Sequence, residues 1–141
     1  MKVVINKCYG GFGLSHEAMM RYAEIKGFKL YPEEEEFGLV TYWKIPKSER
    51  MDVSLREPSE WNKLSLEDRQ KFNQQWSEQT VYDRDIERND PALIQVVEEL
   101  GEKSSGSYAR LSIVDIPDDV DWEIEEYDGT EWIAEKHRTW G

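Results

Sequence analysis

The sequence predicts an α+β fold: a small, mainly antiparallel sheet, two to three helices and a C-terminal β-hairpin. Three observations lead there. Residues 120–137 alternate in polarity around Asp128-Gly129. Two segments open on a side-chain cap and close on glycine, Ser15 to Gly27 and Asp90 to Gly101. Short β-branched and aromatic runs at residues 3–5, 39–45 and 108–116 are bounded by glycine, proline or polar clusters.

Each element has its own reason. Residues 3–5 read as a strand leading into the loop Gly10-Gly11-Phe12-Gly13. Ser15 caps the first helix, with Leu14 and Met19 placed as a hydrophobic staple and Gly27 as its stop. Pro32 and the acidic run at residues 33–36 read as a loop before the strand at 39–45. Ser65 caps a helix to about Trp76, with Phe72 and Trp76 on one face. Asp90 caps the clearest helix, because Pro91 suits its first position and Leu93, Ile94, Val97 and Leu100 form a stripe. Asp-Gly favours a two-residue type I′ turn, which sets Tyr127 opposite Thr130, Ile124 opposite Ile133 and Glu123 opposite Ala134. Trp132 and Tyr127 then share the face away from Trp122, Ile124 and Ile133. That outer face suits either a subunit contact or cover by another loop.

The chain of 141 residues fits one domain, with a polar, lid-like insertion at about residues 47–79. Six Trp, seven Tyr and four Phe exceed what a disordered acidic tail would hold, so its net charge of −12 coats a folded body. That charge repels phosphate backbones and argues against DNA or RNA binding. Cys8 stands alone, which rules out an intrachain disulfide and favours a reducing compartment. No run approaches the ~20 apolar residues of a membrane span, and the opening residues lack a signal peptide's apolar stretch. A cytoplasmic protein is expected.

Catalytic machinery is hard to find. Two histidines, His16 and His137, and one cysteine form no metal-binding or nucleophilic motif, so no metal, no cofactor and no enzyme activity are expected. The glycine loop before Ser15 has neither dinucleotide nor P-loop spacing and reads better as a tight turn than as an anion cradle. More pointed is residues 82–89. If extended, the segment places Asp83, Asp85 and Glu87 on one face and Tyr82, Arg84, Ile86 and Arg88 on the other, with Asn89 beside them. A ring to stack a base, guanidinium groups for phosphate and an amide to read an edge are what a nucleotide site needs, and Arg110 could join them. The competing reading is surface ion pairing between neighbours.

Several strings carry a resemblance. They are Asn6-Lys7-Cys8-Tyr9-Gly10-Gly11-Phe12-Gly13-Leu14-Ser15, Arg88-Asn89-Asp90-Pro91 and Val96-Val97-Glu98-Glu99-Leu100-Gly101, then Ile116-Pro117-Asp118-Asp119-Val120-Asp121-Trp122-Glu123-Ile124. Glu126-Tyr127-Asp128-Gly129, Glu131-Trp132, Glu135-Lys136-His137-Arg138 and Trp140 complete the set. Together they resemble the first-described family of phage Thoeris anti-defence proteins, at both ends but poorly over residues 47–79. The resemblance implies a sponge in the host cytoplasm. Such a protein sequesters a cyclic ADP-ribose signal (glyco-cyclic ADP-ribose) made by TIR-domain enzymes and leaves it uncleaved. It also implies separate sites for cyclic oligonucleotides and a homo-oligomer, dimer or hexamer, with pockets near subunit contacts. The implied ligand residues are Tyr82, Asn89 and Arg110, with Arg56, Arg84 and Arg88 beside them. Gly106 and Ser107 stand where another basic residue is expected. The alternative is an acidic inhibitor or DNA mimic that binds a basic host protein, motivated by the charge.

Overall fold

The computed structural model describes residues 1–136. His137, Arg138 and Trp140, which the sequence analysis used, lie outside the described residues. The element order is β1 (Lys2–Asn6), α1 (His16–Lys26), β2 (Tyr31–Glu34), β3 (Val40–Trp43), α2 (Pro58–Trp61), α3 (Leu66–Gln79), β4 (Thr80–Val81), α4 (Pro91–Leu100), β5 (Leu111–Asp115), β6 (Trp122–Tyr127) and β7 (Thr130–Glu135). The fold class is α+β. The strands form three small antiparallel sheets, β1-β5, β2-β3-β4 and β6-β7. The additional helix is α2, a single turn that starts on Pro58.

The chain forms two compact units. The first joins residues 1–27 to residues 83 onward, and the second is residues 28–82, a wider insertion than the polar stretch 47–79.

In the first unit β1 pairs with β5 from Lys2↔Asp115 to Asn6↔Leu111. Val3, Val4 and Ile5 are buried with Met19, Ala23, Leu93 and Val96 from α1 and α4. Each of these side chains larger than alanine contributes roughly 1.5–3 kcal/mol by leaving water. The caps act as the sequence requires. Ser15 Oγ accepts from Ala18 N, Gly27 takes the left-handed conformation, and Asp90 accepts from Ala92 N. Arg21 Nε donates to Glu99 at 2.8 Å and Tyr22 Oη to Asp90 at 2.7 Å, fastening α1 to α4.

The hairpin has the register set by Asp128-Gly129, with Tyr127↔Thr130, Ile124↔Ile133 and Glu123↔Ala134. Asp128 and Gly129 both have positive φ, as a type I′ turn demands. On the outer face Tyr127 is 74% and Trp132 42% exposed. Trp132 Nε1 donates across the pair to Glu125 at 3.0 Å.

Three expectations are corrected. Residues 82–89 are not extended: Asp83–Asp85 form a 3-10 turn, held by Asp83 Oδ1 accepting from Arg84 N at 2.8 Å and Oδ2 from Leu14 N at 3.0 Å. The alternating charges there are a capping turn, not a strand period. The acidic loop contains β2, an edge strand that tolerates Pro32 because an edge residue owes no ladder N–H. The strand expected at 108–116 begins only at Leu111, because Ala109 N turns back to Gly106 O at 3.1 Å.

Candidate functional site

An aromatic-lined cavity belongs to the second unit and starts with α3. Ser65 Oγ caps the helix by accepting from Asp68 N, and the helix period puts Phe72 and Trp76 on one face, one turn apart. Their rings are nearly parallel at 6.3 Å. Trp61, at the end of α2, meets Phe72 edge-on at 5.4 Å, and Trp43 of β3 meets Trp76 edge-on at 5.0 Å. Such offset and edge-to-face geometries are the favoured ones for aromatic pairs.

Guanidinium groups cover this ring row. Arg69 lies 5.6 Å over Trp61, Arg56 lies 4.4 Å over Trp76 and Arg50 lies 4.6 Å over Trp43. Trp76 Nε1 donates to Tyr82 Oη at 3.0 Å, which fixes the indole's orientation. Between these groups is a cavity of about 290 Å³, lined by Arg56, Trp61, Phe72, Asn73 and Trp76. That size is near the lower bound for small-molecule sites, ~300 Å³. No carboxylate among the described residues lines it. Arg56 pairs with Glu35 at 3.4 Å, its one charged partner among the described residues, and its side chain is 47% exposed, so it can turn to a guest.

This arrangement brings two of the six sequence-predicted residues together, Arg56 in the wall and Tyr82 behind Trp76. Trp61, Asn73 and Trp76 were not anticipated as a site. The signal was present in the Phe72/Trp76 spacing, but the chain between α2 and α3 hides that Trp61 meets the same ring.

The other four candidates lie in the first unit. Arg88 donates to both oxygens of Glu131, at 2.6 and 2.9 Å, and stacks 3.6 Å from the Phe12 ring centroid. Asn89 Nδ2 points to Met1 Sδ at 3.7 Å, whereas Arg110 N donates to Asn6 Oδ1 at 2.8 Å. Asn89 and Arg110 both border β1: Val4 N donates to the Arg88 carbonyl beside Asn89 at 2.8 Å, and Lys7 N donates to the Arg110 carbonyl at 2.8 Å. Arg84 is exposed on the 3-10 turn.

Glu131 and Asn6 form a centre that sequence reading missed. Both are buried. Asn6 N donates to Glu131, while the Asn6 amide donates to the Cys8 and Gly129 carbonyls and accepts from Cys8 N and Arg110 N. The glycine loop serves the same packing. A β-carbon on Gly10 would collide with Tyr108, and one on Gly129 with the Tyr9 carbonyl. Asp90, beside Asn89, is buried enough to raise its pKa, but hydrogen bonds from Tyr22, Lys26 and Ala92 N hold it below the usual carboxylate range.

Among the described residues no three His, Cys, Asp or Glu side chains gather as a metal site, and no helix is long and apolar enough to cross a membrane. No family model matches the chain, and neither does any curated protein or solved structure.

Proposed function

We propose that the protein is a phage-encoded sponge that binds a cyclic ADP-ribose-type nucleotide in the Trp76 cavity and holds it uncleaved in the host cytoplasm. In this reading it silences TIR-based immunity. The observation that carries the reading is the lining itself: two indoles and a phenyl ring beside one guanidinium and one amide, with no carboxylate. Rings offer stacking to a base at ~1–3 kcal/mol each, and a guanidinium offers a charge-assisted bond to phosphate. The ligand class comes from the sequence resemblance.

Sequestration makes an energetic demand. Nanomolar capture requires about −12 kcal/mol, more than one half-open cavity of rings and one arginine supplies. A second copy covering the site would add contacts and exclude water. The exposed Tyr127 and Trp132 are the kind of surface through which copies associate. Binding without cleavage is tested by mixing protein and cyclic ADP-ribose, removing free nucleotide, denaturing by heat and analysing the supernatant by mass spectrometry. The intact nucleotide should return; ADP-ribose in its place would identify a hydrolase.

A further inference from the structure

A second concavity in the inserted unit has the opposite character. It is a groove of about 640 Å³ framed by Glu33, Glu34, Glu35, Glu36 and Glu57, with Leu39, Val53, Pro58 and Arg56 between them. Residues 28–82 contain eight Lys and Arg against eleven Asp and Glu, so these five glutamates exceed the unit's whole acidic surplus. Glu33 is paired with Arg50 and Glu35 with Arg56. Glu34, Glu36 and Glu57 have no cation partner among the described residues and are exposed. Leu39 is 64% and Val53 43% exposed, which places sizeable apolar groups in water beside unpaired charge.

The groove adjoins a cavity of about 250 Å³ that shares Glu33, Glu35, Val53 and Arg56 with it. Trp43 forms part of that cavity's wall. It is only 3% exposed, yet its Nε1 has no hydrogen-bond acceptor among the described residues, which is costly for a buried indole N–H.

We infer that this groove docks an extended segment of a protein partner in which Lys or Arg alternates with apolar side chains. The cations meet Glu34, Glu36 and Glu57. The apolar side chains cover Leu39, Val53 and Pro58. Nucleotides and anionic lipids are repelled by the same glutamates. Simple strand addition is disfavoured, because the adjacent edge strand β2 carries Pro32 and lacks a donor there. The inference does not depend on the nucleotide reading.

The test is fluorescence anisotropy of the full chain with a labelled decapeptide of alternating Lys and Leu, in low and moderate salt. A Lys-Ser decapeptide of equal charge is the control. The Lys-Leu peptide should bind at least tenfold tighter than Lys-Ser, and weaken with salt. The triple variant Glu34→Gln/Glu36→Gln/Glu57→Gln and, separately, Leu39→Ser should each lose tenfold or more. All four positions are exposed, so circular dichroism should stay unchanged. Equal binding of both peptides, undiminished binding to the variants, or no binding at all would overturn the inference.

Discussion

Glu131 ties β7 to β1 and to Arg88 within the first unit. It is buried, and it answers both the Arg88 guanidinium and the Asn6 main-chain N–H. Removing one partner of such a pair leaves an uncompensated charge, at a cost of ~3–5 kcal/mol. Glu131→Ala should therefore lower unfolding free energy by about that amount in denaturant titration. The double variant Arg88→Met/Glu131→Leu should recover part of it, leaving the orphaned Asn6 donor at ~1–3 kcal/mol. Tyr22 gives a pH signature. Burial first, then its bond to Asp90, pushes the phenol well above its ordinary value of 10. A raised folded pKa contributes stability that is fully present below pH 10 and is lost as pH rises beyond it. Thermal melts should therefore fall above pH 10, and Tyr22→Phe should flatten that fall. Asp90 acts in the opposite sense, since its depressed pKa contributes stability present at neutral pH and lost on acidification.

At the scale of elements, the hairpin was legible because its turn determines everything after it. Asp128-Gly129 forces the two-residue turn, and the side-chain pairing follows by counting. Gly129→Ala should test how tightly that turn is held. It combines a left-handed φ of 91° with a collision against Tyr9, so a loss of roughly 1–3 kcal/mol or more is expected in thermal unfolding. The strand β2 was not legible, because Pro32, Glu33 and Glu34 have no strand preference and only pairing with β3 makes them one. The 82–89 segment misled for a related reason. Acids at every second position mimic a strand period, yet Asp83 uses its short carboxylate to close a turn instead.

For the whole molecule, a ring, a guanidinium and an amide meet on α2, α3 and the chain before them; of the sequence-predicted residues Arg56 lines that cavity and Tyr82, after β4, accepts a hydrogen bond from its Trp76. Asn89 and Arg110 are separated by all of α4, and both reach β1 only through long-range contacts that no local pattern announces. The division at Gly27 and Tyr82 likewise follows from contacts, not composition. The acidic surface is compatible with a phosphate-bearing guest only because carboxylates are kept out of that lining. Isothermal titration of cyclic ADP-ribose into the wild type, Arg56→Ala and Arg110→Ala tests this most directly. The account predicts a tenfold or greater loss of affinity for Arg56→Ala; full affinity there, with binding abolished in Arg110→Ala, would contradict it and return the site to the first unit.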